Sequence, residues 1–191
     1  MRKKSIIGIV LPLFVVIALI PCTAHSLQGI GLSVGLALPV GNLSDVSGNG
    51  FSFGGDYFAP VFDTIPKLRV GGRFAYNKFA QHDYAGFGAN VSSSASSFEL
   101  VPSLRYLITE ENKLLGFFGQ LGAGLYFTRL EFNNFPLAES KNETDFGVTI
   151  GGGVTYKLFD RISAVAMPLY HITDHSFVSL NVGFIFGRRE W

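Results

Sequence analysis

Thiols, charge and long apolar runs are all scarce in this sequence. Its 191 residues include a single cysteine, Cys22, and only 15% of them are charged, with a formal net charge of +1. One thiol cannot form an intramolecular disulfide, so stability has to come from a packed core or from a non-aqueous surrounding. The near-neutral charge argues against a nucleic-acid binder, and an aromatic content of 14% argues against disorder. The one continuous apolar run, residues 6–20, is about 15 residues long, short of the roughly 20 that an α-helix needs to cross a bilayer. What the chain does have is 23 Gly, 19 Phe and a mean hydropathy of +0.33.

The run at residues 6–20 follows Arg2, Lys3 and Lys4 and ends at Pro21 before small residues. This three-part layout predicts a secretory signal peptide over residues 1–24, leaving 25–191 as one mature domain. Small side chains at Cys22 and Ala24 favour cleavage after Ala24, with Ser26 as the alternative. An uncleaved anchor helix fits the short run less well, and Pro21 stands where a lipoprotein at Cys22 needs a small residue. Cleavage removes three of the 15 Lys and Arg and leaves 12 against 14 Asp and Glu, a net of about −2.

From Gln28 onward apolar and small residues alternate with period two, which places them on opposite faces of β-strands. Leu32, Val34 and Leu36 oppose Gly31, Ser33 and Gly35. Phe53, Val70, Phe74 and Leu104 continue the apolar row, followed by Phe117, Leu121 and Leu125. Val148, Ile150, Val154, Leu180, Val182 and Phe184 complete it. About eight strands of roughly ten residues result, the length that crosses a bilayer when tilted. Residues 162–173 do not declare their faces. Connections alternate too: short ones near residues 63–66, 109–112 and 160–161, and long polar ones, which predict loops at residues 42–49, 82–94 and 133–143.

A soluble ligand-binding barrel would need charge on its second face. That face is mostly Gly, Ser, Ala and Thr here, and the Phe-rich face would be a patch far beyond what water tolerates. Facing lipid, the same row is what a membrane requires, and closure leaves no unpaired edge. The expected fold is therefore all-β: an eight-stranded antiparallel transmembrane barrel, with aromatics such as Phe51, Tyr76, Phe98, Tyr106, Phe127, Tyr156 and Phe186 at the interfaces.

Two stretches carry a family resemblance: GLALPVGNLSDVSGNGFSFGGDY at residues 35–57 and LYHITDHSFVSLNVGFIF at residues 169–186. On these the chain resembles the bacterial outer membrane protein β-barrel family, the porin-like small barrels of OmpA/OmpX type. The resemblance implies a bacterial outer-membrane location, contact with outer-membrane lipid and lipopolysaccharide, and folding by the barrel assembly machinery. It implies no fixed activity. Asn181, Gly183 and Phe186 are similar to the terminal assembly signal of that family, with Trp191 on the opposite parity.

The lumen-facing row carries Asp56, Arg69, Arg73, Glu99 and Arg105 on consecutive strands, with Asp145 and Lys157 as extensions. Opposite charges inside a narrow barrel are expected to pair and plug it. The functional expectation is a monomer with a structural or surface-interaction role, meeting an extracellular ligand through its loops. A small pore or a lateral conduit for apolar solutes is the alternative. His171 and Thr173 resemble part of the His-x-Ser element of lipid A deacylase barrels, but the following Ser-Asn is missing, so no enzyme activity is expected. His82, Asp83 and Asp45 lack ligand spacing, and neither a metal nor a cofactor is expected.

Overall fold

The computed structural model describes residues 29–60, 64–84, 91–109, 114–134 and 137–187. The expected signal segment, Cys22 and Trp191 lie outside them. Among the described residues nine strands form one sheet: β1 (Gly29–Pro39), β2 (Gly48–Pro60), β3 (Leu68–Ala80), β4 (His82–Tyr84), β5 (Val91–Leu107), β6 (Leu115–Asn134), β7 (Leu137–Phe159), β8 (Ile162–Ile172) and β9 (Phe177–Gly187). Sequence-adjacent strands pair antiparallel except β3 and β4, which both pair with β5, and β1 closes the ring against β9. The short β4 carries on from β3 along the upper part of β5, so the closed barrel has eight strands.

Closure needs close strand approach, and two glycines supply it at the β1/β9 seam. A Cβ on Gly183 would lie 2.0 Å from the Leu32 carbonyl oxygen, and one on Gly35 would lie 2.0 Å from that of Leu180. Any side chain there would force the seam apart.

Strand lengths depart from the expected ten residues. β5, β6 and β7 run to 17, 20 and 23 residues. In the segments expected as loops at residues 82–94 and 133–143 the described residues are strand, with pairs from Val91↔Asn134 down and from Asn134↔Leu137 down, and residues 85–90 and 135–136 lie outside the described ones. The connection after β1 is irregular as expected, with a 3-10 turn at Gly41–Leu43. The physical reason lies in the hydropathy pattern, which reverses along the tall strands β6 and β7. Below Phe127 the outward row of β6 is apolar at Phe117, Leu121 and Leu125; above it Leu130 points inward while Arg129 and Asn133 point out. A strand leaving lipid for water has to exchange faces in this way.

The outward apolar row ends near the level of Tyr76, Phe98 and Phe127, which are cross-strand neighbours. From Phe117 to Phe127 β6 covers about 33 Å at about 3.3 Å per residue, which a tilt of about 40° projects to about 25 Å, the height of a lipid-facing band.

Candidate functional site

The interior is where this sequence concentrates its chemistry. Arg73 of β3 is buried, and its guanidinium reaches four other strands. Its Nε donates to Glu99 Oε1 on β5 at 2.8 Å, and a terminal nitrogen lies 3.4 Å from both Asp56 carboxylate oxygens on β2. Longer contacts of 3.5 and 3.4 Å reach Ser33 Oγ on β1 and Asn181 Oδ1 on β9. The fixed fork of a guanidinium suits this many-sided role in a way that an ammonium does not. Register explains the meeting: Asp56 is the direct partner of Arg73, and Glu99 faces Ala75 one step along the same row.

The second Glu99 oxygen faces His171 Nδ1 at 2.9 Å. That contact is close but lies outside hydrogen-bond geometry, leaving Glu99 Oε2 without a donor, so it counts as electrostatic. The same Nδ1 lies 3.1 Å from the Tyr126 hydroxyl and 3.3 Å from Thr149 Oγ1, and Tyr126 and Thr149 also bond each other. On its other side His171 Nε2 meets Ser179 Oγ at 2.9 Å, and its ring stacks on Phe177 with centroids 4.1 Å apart. Acid, imidazole and hydroxyl thus stand in the order of a nucleophilic triad. Yet Glu99, His171 and Ser179 are each 0% exposed, and Asn181 Nδ2 donates to Ser179 Oγ at 2.8 Å. No substrate carbonyl reaches a hydroxyl held this way.

Arg105 forms a second layer. Its guanidinium sits between the rings of Phe58 and Phe118 at 3.9 and 4.2 Å and donates to Gln120 Oε1 at 2.7 Å. Apolar clusters lie on either side of these polar layers. Leu43, Phe79, Ala95, Leu130 and Phe177 pack with Val46 and Phe132 at the tall end, and Phe118, Val165, Met167 and Leu169 pack at the short-turn end. The 3-10 turn brings Leu43 into the upper cluster, and Ser93 Oγ donates to the Val46 carbonyl at 2.5 Å.

Asp56, Arg73 and Glu99 therefore come together, with Arg105 a layer away and Arg69 half-buried below it. Asp145 and Lys157 do not extend the network. They stand on the same face of β7 but about 40 Å apart along the strand, at about 3.3 Å per residue. Lys157 pairs with Asp160 in the short turn at 3.0 Å. Asp145 sits at the tall rim near Glu143 and His175. Glu143 is held below the usual carboxylate range, first by its hydrogen bond with Lys141 and then by that with His175. His82, Asp83 and Asp45 form no ligand group among the described residues, and Asp83 accepts from Gln81 Nε2 at 2.7 Å.

Every residue of the expected apolar row lies on the outward face. Leu32, Val34, Leu36, Phe53, Phe74, Leu104, Phe117, Leu121, Ile150, Leu180, Val182 and Phe184 are exposed, while Val70, Leu125, Val148 and Val154 are half-buried between neighbours. Sequence reasoning missed His171 and Tyr126 as members of the interior network. Tyr126 was legible from its parity on β6, but His171 was not, because Val165, Met167 and Leu169 make the inner face of β8 as apolar as its outer one.

Comparison with known proteins agrees with this architecture. The family model described as "Outer membrane protein beta-barrel domain" matches residues 11–186. No curated protein matches the sequence significantly. Among solved structures, the chain is similar to Ail, the attachment invasion locus protein of Yersinia pestis, with 19% identity and a TM-score of 0.54 over 83% of this chain and 99% of that one. It is similar to Neisserial surface protein A, with 15% identity and a TM-score of 0.52 over 83% and 96%. A major outer membrane protein from Thermus thermophilus aligns at 13% identity and a TM-score of 0.54, over 85% and 100%. At these identities the likeness concerns the fold.

Proposed function

The chain belongs to the outer membrane protein beta-barrel domain family and lies in the bacterial outer membrane, and from that premise we propose a closed, non-conducting barrel that works through its tall hairpins. The observation that carries this reading is the Arg73 hub, which ties five strands together across the interior. An ion path along the lumen would have to break these buried contacts, and the loss of one partner leaves the others as uncompensated charge. The apolar clusters above and below add two further obstacles to water and ions.

With the lumen closed, the surface that remains for recognition is the sheet of β5, β6 and β7 beyond Phe98, Phe127 and Phe146. Its outward residues include Ser94, Ser96, Arg129, Asn133 and Asn142. A rigid scaffold presenting polar strands suits a structural or surface-interaction role with an extracellular ligand. In the same reading the outward row meets lipid and lipopolysaccharide, the barrel is monomeric, and the assembly machinery inserts it after signal cleavage. The sealed state of Ser179 supports a non-enzymatic role.

Planar-bilayer recording tests the lumen. The wild-type chain is expected to give no stepwise channels, whereas Arg73→Ala or Glu99→Ala gives unstable openings. Steady wild-type channels that vanish in those variants would overturn the closed reading and favour a small pore.

A further inference from the structure

At the tall rim three potential metal ligands converge outside the lumen network. Glu143 and Asp145 alternate onto the same inner face of β7, and His175 belongs to the turn between β8 and β9. One donor atom from each lies within 4.8 Å of the others. We propose that Glu143, Asp145 and His175 form a divalent transition-metal site, suited to Zn2+, that clamps the upper part of β7 to the β8/β9 turn.

Three further features support it. First, the turn is organised before any ion arrives. The His175 backbone N–H donates to Thr173 Oγ1 at 2.9 Å, Ser176 Oγ donates to the Thr173 carbonyl at 2.8 Å, and the Thr173 N–H donates to Ser176 Oγ at 3.2 Å. Second, His175 Nε2 already meets Glu143 Oε2 at 2.5 Å, while Asp145 Oδ2 is a buried atom with no hydrogen-bond partner. Buried polar atoms left in this way ask for a ligand. Third, Asp174 adds its charge close to Asp145, so the rim holds three carboxylates against the one ammonium of Lys141.

An imidazole with two carboxylates is a Zn2+ donor set, whereas Ca2+ and Mg2+ prefer oxygen alone. Bonds of about 2.0–2.2 Å place tetrahedral ligands about 3.4 Å apart, a spacing between the 2.5 Å of the His175–Glu143 pair, which must open to admit an ion, and the 4.8 Å that bounds the cluster, which must close. Lys141 is the competitor for Glu143, but its side chain is mostly exposed and free to swing away. The clamp also has a mechanical place. β7 pairs with β8 only from Val148↔Ile172 downward, and above that level it pairs with β6 alone among the described residues. His175 reaches Glu143 across this gap.

The inference holds whether or not the lumen conducts. It is tested on the untagged full chain, extracted from outer membranes in detergent, stripped with a chelator and titrated with Zn2+ against a chromophoric competitor. One ion per chain is expected. Glu143→Gln, Asp145→Asn and His175→Gln should each weaken binding by about tenfold or more. A His25→Ala/His82→Ala variant should bind as the wild type does, and unboiled gel mobility confirms that each variant is folded. Co2+ added to the wild-type chain alone gives a second readout: intense visible absorption marks a four-coordinate site. Weak hydrated-ion bands, no Zn2+ binding below the millimolar range, or three ligand variants that bind like wild type would each overturn the proposal.

Discussion

Arg73→Met removes the guanidinium that stands between two buried carboxylates. Glu99 loses its 2.8 Å donor and Asp56 loses a guanidinium 3.4 Å away. Breaking a buried pair from one side costs about 3–5 kcal/mol. Two effects bound the figure: Arg105 acts on Asp56 electrostatically, and an orphaned carboxyl can bind a proton, at about 1.4 kcal/mol per pH unit. A loss of about 4 kcal/mol, at a urea slope of about 2 kcal/mol/M, lowers the unfolding midpoint by about 2 M. The assay is urea unfolding of the barrel in lipid vesicles, read by the mobility of the folded, unboiled form.

The sharper outcome is the double variant. Arg73→Met/Glu99→Gln removes the charge of both members of the 2.8 Å pair, and replacing both partners costs less than breaking the pair from one side, with Asp56 left to Arg105. It should therefore be more stable than Arg73→Met alone, with a coupling of about 1–3 kcal/mol. Arg73→Lys keeps the charge but loses the fork, and should fall between wild type and Arg73→Met. An Arg73→Met midpoint equal to wild type, or a double variant that is simply the sum of its singles, would refute the claim that the hub holds the lumen together.

Other perturbations probe separate parts of the fold. Gly183→Val drives a side chain toward the Leu32 carbonyl and should prevent closure at the β1/β9 seam, seen as loss of the heat-modifiable band; a normally folded variant would show that the seam has room. Leu121→Arg puts a charge on the outward row at mid-height and should cost about 2–4 kcal/mol in the same urea assay, whereas no loss would argue that this face does not meet lipid. Tyr126→Phe removes the hydroxyl shared with Thr149 and His171 and should cost about 1 kcal/mol, and a neutral result would mean that the hydroxyl contributes nothing to the network. N-terminal sequencing of the exported protein is expected to start at His25, while a start at Leu27 would move the cleavage site to Ser26.

The sequence makes the membrane part of this fold readable because lipid imposes one rule on every strand: apolar outward, small or paired polar inward. Asp56, Arg73 and Glu99 stand out against that rule as charges on the row that cannot see water, and their strands are consecutive, so their meeting follows from antiparallel register. His171 is hidden where the rule weakens. On β8 both faces are apolar, because the inner one packs Val165, Met167 and Leu169 into the lower cluster, and a polar residue on such a strand carries no sign of direction.

The tall hairpins are hidden for the opposite reason. Above Phe127 the rule turns over, and residues 91–97 and 137–145 present Ser, Asn, Lys and Glu where an outward apolar stripe is the expected signature of strand. The reversal itself is a usable signal: Leu130 and Phe132 alternate with Arg129, Glu131 and Asn133 on the parity opposite to Leu125 and Phe127. A period-two pattern that keeps its period while exchanging its faces marks a strand crossing from lipid into water. On β7 the exchange falls between Phe146, which points outward, and Asp145, which points inward toward the rim. The same reversal that disguises the hairpin as a loop therefore carries Glu143 and Asp145 to the inner face, where His175 can meet them.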